Sequence, residues 1–235
     1  LALENASAIG NSFERLQMLY DMGIRYITLC HTGNNEVCDS CATADKRWGG
    51  LSPFGKELVA EMNRLGILID VSHVSDDTFN DVISYSKYPV VATHSCCRAL
   101  AAHPRNMTDE MICSLAEKGG VIQINFYPVF LDSEFTSVLK ASGIMERGEV
   151  VEHEFIMDPS DCQKRAAWNA VQEELLHLER PSYKLIADHI DHVVGLVGVD
   201  HVGFGSDFDG IAVAPDGMEN ASCFYRILDE LRVRG

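Results

Sequence analysis

The stretch from Ser52 to His73, SPFGKELVAEMNRLGILIDVSH, reads as two elements in series. Ser52 is a plausible cap for a helix, Pro53 belongs in its first turn, and Gly66 stops it. ILIDVSH then follows as an apolar strand that ends in His73. A helix, a glycine stop and a buried strand make one α-to-β step.

The same step recurs on both sides. Upstream, SFERLQMLYDMG has Phe13, Leu16, Leu19 and Tyr20 at helical spacing, Ser12 as cap and Gly23 as stop, and the strand RYITLCH follows. Downstream, SDDTFNDVISYSK precedes PVVATH, and TDEMICSLAEKGG, opened by Thr108 and closed by glycines, precedes VIQINFY. After an interruption, SYKLIADHIDHVVGLVG leads into HVGFGSDFDG, and the chain is helical again from about Asn220. Strands that are apolar rather than alternating are buried on both faces, which implies a parallel sheet with helices outside. Such a series fits a doubly wound sheet or part of a (β/α)8 TIM-type barrel. HTGNN and HSCCR, which follow strands, are not glycine-rich phosphate loops, so a nucleotide-binding doubly wound fold is disfavoured. The charged, Glu-rich segment from about Pro128 to Arg180 breaks the rhythm and is expected to be a long loop with helices over one barrel mouth.

The 235 residues are 46% hydrophobic and 23% charged, a globular composition. A net charge of −16 repels phosphate backbones, so nucleic acid and anionic membranes are disfavoured as partners. No run of about 18 apolar residues could span a bilayer. LALENASAIGNS lacks the pattern of a signal peptide, begins without Met, and the chain stops inside a helical pattern, which reads as a piece of a longer protein. Eight cysteines include the pair Cys38 and Cys41 in C-x-x-C and the neighbours Cys96 and Cys97. No second pair follows in register for a zinc knuckle. Free thiols in a reducing compartment, hence a cytoplasmic setting, are the expectation, with a redox pair at Cys38/Cys41 as the alternative.

The strand tips carry the chemistry. RYITLCH ends in His31, ILIDVSH in His73, PVVATH in His94, VIQINFY in Asn125 and Tyr127, and HVGFGSD in Asp207. Barrel enzymes keep their functional groups at the carboxyl ends of strands. A lone histidine is more often a hydrogen-bonded structural residue, and His103, His153, His177, His189, His192 and His201 are assigned that way. Three histidines and an aspartate at successive strand ends point instead to a metal or acid–base site, and such ligands suit zinc.

The chain resembles the membrane dipeptidase (renal dipeptidase) family of zinc peptidases. The matching stretches are LEN with Glu4, RYITLCHTGNN, GLSPFGKELVAEMNRLGILIDVSHVS, PVVATHS, RNMTDE, INFY and VGFGSDFDG, of which LSPFGK…LIDVSH and GSDFDG are specific. The resemblance implies a (β/α)8 barrel, present as a fragment that lacks the first strands and the C-terminal end. Residues 1–235 would form one partial catalytic domain with the insertion at about 128–180. It implies two zinc ions, with Glu4 bridging both and His73 and His94 on one. His31 would polarise the substrate carbonyl, Arg105 and Tyr127 would hold the terminal carboxylate, and Asp207 would lie near the substrate amine and the departing nitrogen. Asp209 is taken as a structural acid. The family's second zinc takes a His-x-Asp pair from the first strand, and no such pair precedes Glu4. The implied reaction is hydrolysis of dipeptides with a free C-terminal carboxylate by metal-activated hydroxide. Two alternatives stay open: hydrolysis of another amide or a lactam, and a non-catalytic barrel relative that only binds. A homodimer is compatible with either.

Overall fold

In the computed structural model, which describes residues 1–235, six strands form one parallel sheet. They are β1 (Ala2–Glu4), β2 (Tyr26–Thr28), β3 (Leu68–Asp70), β4 (Val91–Ser95), β5 (Val121–Ile124) and β6 (Val202–Phe204). Their order is β1-β2-β3-β4-β5-β6, with every neighbouring pair parallel. A doubly wound sheet must reverse direction at a switch point, and this order has no reversal. Strictly sequential parallel pairing is the arrangement of a (β/α)8-type chain. The sheet is open, with β1 and β6 as its edges. The hydrogen-bonded strands are shorter than the apolar runs suggest, so most of the polar tips lie just past the ladder rather than inside it.

The connecting helices are α1 (Phe13–Asp21), α2 (Pro53–Leu65), α3 (Asp76–Tyr85) and α4 (Asp109–Glu117). Each starts at a hydroxyl side chain that accepts from a backbone N–H in the first turn: Ser12 from Arg15, Ser52 from Gly55, Ser75 from Thr78, and Thr108 from Met111. Gly66 ends α2 with φ of 74°, a conformation that a side chain would disfavour. The inward residues Leu16, Leu58, Met62, Phe79, Ile112 and Leu115, with Ile27, Ile69, Ala92 and Ile122 from the strands, are fully buried. Burying a large aliphatic or aromatic side chain contributes about 1.5–3 kcal/mol each.

The chain forms two compact units. One comprises Leu1–Asn125 and His189–Gly205 and contains the whole sheet; the other comprises Phe126–Asp188 and Ser206–Gly235. The Glu-rich interruption is helical almost throughout: α5 (Pro128–Leu131), α6 (Ser133–Ser142), α7 (Ile144–Met157) and α8 (Cys162–Leu176). Its charge had suggested more loop. Helix forms because the segment has its own apolar cluster, with Val129, Phe135, Leu139, Ile144, Val171 and Leu175 buried together with Val213. Asp132 and Asp161 cap α6 and α8. α9 (Lys184–Val197) contributes residues to both units, and α10 (Phe224–Arg234) ends the chain. No helix is long and apolar enough to cross a membrane.

Candidate metal centre

Sheet register explains why four distant side chains meet. Glu4 pairs with Thr28, Thr28 with Asp70, and Asp70 with Val91, so these residues form one row across β1 to β4. His31, His73 and His94 each follow that row by three residues (28 + 3, 70 + 3, 91 + 3). His31 and His73 lie just past β2 and β3 and His94 lies within β4, so the three imidazoles come from adjacent strands at one level.

The ligand atoms converge closely. Glu4 Oε1 lies 3.2 Å from His73 Nε2 and 3.3 Å from His94 Nε2, and the two Nε2 atoms are 2.8 Å apart. Tetrahedral zinc with bonds of about 2.0–2.2 Å holds its ligand atoms about 3.3–3.5 Å from one another. The trio is thus spaced for one cation, a little contracted between the imidazoles. His31 packs beside it, its ring tilted 36° to that of His73 with the centroids 4.4 Å apart. Ligand atoms of Glu4, His31 and His73 also all fall within 4.8 Å of one another.

Electrostatics fit the donor set to a metal. Burial pushes His73 down to about 4, against the pull of the Glu4 carboxylate, so its ring is neutral at physiological pH. The two facing imidazoles, His73 first and His94 second, hold the Glu4 carboxyl well below the usual carboxylate range. Metal ligation requires this state, with neutral imidazole and ionised carboxylate. Two imidazole nitrogens and a carboxylate oxygen at this spacing cannot satisfy one another with the protons they own, and His73 Nδ1 is buried with no hydrogen-bond partner. Such a convergence of donor atoms suits a cation.

His73 is held through its backbone. Its φ is 71°, in the left-handed region, where a non-glycine residue is uncommon and strained by about 1–3 kcal/mol. Its carbonyl accepts from Cys41 N–H at 2.9 Å, with Ser40 Oγ at 3.3 Å and Cys30 Sγ at 3.6 Å. Ser40 Oγ also donates to the His31 carbonyl at 2.6 Å. The C-x-x-C loop is accordingly a clamp on two tip residues. None of the eight cysteines is in a disulfide. Burial pushes Cys41 up to about 11 and Cys97 up to about 12, while the neighbouring Cys30 thiol and burial hold Cys38 well above its usual value. Thiols in that state are poor nucleophiles.

Arg105 is 8% exposed and donates from Nη2 to the His94 carbonyl at 3.0 Å, which places its guanidinium at this site. Tyr127 and Asp207 belong to the other unit. Tyr127 is half-buried, packs edge-on to Phe130 at 5.1 Å, and burial raises its hydroxyl above the usual value. Asp207 has φ of 62°, and its carboxylate folds back over Gly210, where a side chain would collide with it. Asp209 is exposed in the turn that follows. His189 is buried and accepts from the Cys97 N–H, His192 pairs with Asp109, and His201 donates to the Gly120 carbonyl, all structural contacts. Sequence reasoning missed Asp70, Ser72 and Thr93. The signal for the first two was polar residues inside the apolar run ILIDVSH, where a buried strand has no use for an acid unless something donates to it.

A parallel sheet in sequential order with histidines and a carboxylate converging at its strand tips is a (β/α) barrel-type arrangement with a candidate metal centre. The family model for membrane dipeptidase (Peptidase family M19) matches residues 1–235, and the chain belongs to that family. It is 35% identical to dipeptidase aclJ of Aspergillus oryzae (strain ATCC 42149 / RIB 40) over 100% of this chain and 46% of that protein. Among solved structures, the probable dipeptidase PvdM from Pseudomonas aeruginosa superposes with a TM-score of 0.78 at 28% identity, covering 99% of this chain and 62% of that one. A metallo peptidase from Rhodobacter sphaeroides, liganded with a phosphinate mimic of the dipeptide L-Ala-D-Ala, superposes with a TM-score of 0.76 at 26% identity, covering 100% and 56%. The chain spans about half the length of the curated relatives it matches.

Proposed function

We propose that the protein to which this chain belongs hydrolyses dipeptides with a free C-terminal carboxylate, and that Glu4, His73 and His94 hold a zinc ion for that reaction. The observation that carries the reading is the convergence of these three ligand atoms within 3.3 Å in a chain of the membrane dipeptidase family. A second zinc, shared through Glu4, would need the His-x-Asp pair that the family places on its first strand. When bound, zinc supplies Lewis acidity and makes hydroxide available near neutral pH.

The chain's own residues do the rest. His31, packed against His73 beside the trio, is suited to donate to the oxyanion that develops on the scissile carbonyl. Arg105, buried against the His94 carbonyl, is suited to pair with the substrate carboxylate and so selects short peptides with a free C-terminus. Tyr127 is assigned to the same carboxylate, and Asp207 to moving a proton to the departing nitrogen; both assignments rest on the family motifs INFY and GSDFDG.

The test is metal analysis together with hydrolysis of dipeptides, their C-terminal amides and N-acyl amino acids. The expected result is stoichiometric zinc, lost in Glu4→Gln, His73→Ala and His94→Ala, and turnover of dipeptides. Cleavage of N-acyl amino acids but not dipeptides would move the assignment to another amide. Absence of zinc and of turnover in the full-length protein would make it a binding module.

A further inference from the structure

We propose that Asp70, acting through the hydroxyl of Thr93, is a positioning residue that fixes the tautomer of His94 so that its Nε2 lone pair faces the metal. The proposal rests on the metal-centre reading above and deepens it.

Asp70 ends β3, is 0% exposed, and touches neither Glu4 nor His73 through any hydrogen bond. Its carboxylate is surrounded by donors from β2, from β4 and from the segment that follows β3. Oδ1 accepts from Ser72 N–H and Thr93 N–H, each at 3.0 Å. Oδ2 accepts from Thr28 Oγ1 and Thr93 Oγ1, each at 2.6 Å, the short separation of a hydroxyl bonded to a charged oxygen. Thr93 Oγ1 in turn lies 2.8 Å from His94 Nδ1.

A threonine hydroxyl owns one proton. Once Thr93 gives it to Asp70, the oxygen can only accept from His94. Nδ1 of His94 must then carry the ring proton, and Nε2 is left as a bare lone pair, 3.3 Å from Glu4 Oε1. The relay runs from imidazole N–H to hydroxyl to carboxylate, an extended form of the carboxylate–histidine pairing that orients metal-binding imidazoles. The backbone supports it, because His94 N–H donates to Ser72 Oγ at 3.0 Å. Both polar residues of the strand end, Asp70 and Ser72, therefore serve His94, which lies on the neighbouring strand. His73 lacks any such partner at Nδ1 and depends on its clamped backbone instead. The two imidazoles of one site are positioned by different means.

The proposal predicts an unusual result for a conservative change. In Asp70→Asn the amide can donate to Thr93, whose hydroxyl then donates to His94 Nδ1, which reverses the tautomer and puts the proton on Nε2. Thr93→Val removes the link altogether, and Thr93→Ser keeps it. The experiment uses the full-length protein and zinc itself, with affinity from competition against a chelator and the tautomer from 15N chemical shifts of the His94 ring. Asp70→Asn and Thr93→Val should bind zinc about 10–100-fold more weakly. Thr93→Ser should stay within about threefold of the unaltered protein, since its link is intact. The ring shifts of the unaltered protein in its metal-free state, which need no variant to fold, should show a protonated Nδ1. A protonated Nε2 there would overturn the proposal. So would unchanged zinc affinity in well-folded Asp70→Asn and Thr93→Val. Failure of the unaltered protein to bind zinc at all would overturn the metal reading as well, and the two failures are thereby told apart.

Discussion

At the residue scale, charge and proton inventory decide what each side chain can do. Arg105 carries a guanidinium that no pH in the working range can neutralise, and its Nη2 is already turned toward the His94 carbonyl. Arg105→Ala should raise KM for dipeptides far more than for their C-terminal amides, by about 10–150-fold, from losing a charge-assisted pair of about 1.5–3 kcal/mol. Equal effects on acids and amides would remove Arg105 from carboxylate recognition. Asp207 is held in a left-handed conformation over Gly210, an expense that a merely solvating acid does not require. Asp207→Asn should keep the zinc and much of the substrate affinity but lose about 10²–10⁴-fold in kcat, the usual worth of a general acid–base group. Asp209→Asn, in the exposed turn beyond, should change the thermal midpoint rather than kcat. Loss of kcat in the 209 variant with a normal 207 variant would exchange the two roles.

At the scale of the element, caps and ion pairs tie helices to the loops around them. Ser52 is buried, accepts from Gly55 N–H at 2.9 Å and donates to the Glu36 carbonyl at 2.6 Å. Ser52→Ala should cost about 1–2 kcal/mol and lower the midpoint by about 2–8 °C. Ser12, whose cap bond of 3.3 Å is exposed, should cost less on the same change; the reverse ranking would show that burial is not what gives Ser52 its weight. Asp76, in the first turn of α3, pairs with both Arg98 amino groups at 2.7 Å, which lowers its carboxyl below the usual value. A depressed folded value contributes stability above the unfolded value near pH 4 and loses it as pH falls further. The Asp76 side chain is half exposed, so the gain is screened to under about 1 kcal/mol. The midpoint difference between the unaltered protein and Asp76→Asn should be present at pH 7 and vanish toward pH 3. A difference that persists at the acid end would assign it to something other than the ion pair.

At the scale of the molecule, the candidate ligands all lie in one of the two compact units. Zinc that binds only the folded state at about 100 times its Kd adds about 2.7 kcal/mol. For a chain of this size the corresponding midpoint rise is about 5–11 °C. Chelation should reverse the rise, and His73→Ala or His94→Ala should abolish it. Hydrogen exchange should show the added protection in β1 to β4 and the segments that follow them. Protection gained only in α6 to α8 would place the metal in the other unit and away from Glu4.

The linear order of helices and strands was legible in the sequence because caps, glycine stops and apolar runs act locally: Ser52, Pro53 and Gly66 settle α2 whatever surrounds it. The list of polar strand tips was legible for the same reason. The helical nature of residues 128–180 was less so, since their charge describes the solvent face while Phe135, Leu139, Val171 and Leu175 reveal a core only when they pack. Sheet order and register had to come from the tertiary structure. Nothing in the spacing of Glu4, His31, His73 and His94 states that they meet, because pairing between strands is a long-range choice made by burial. The same holds for Asp70, a lone acid in an apolar run until Thr28 and Thr93 arrive from the strands on either side to donate to it. Local chemistry settles which residues are available; only packing brings their donors and acceptors within reach of one another.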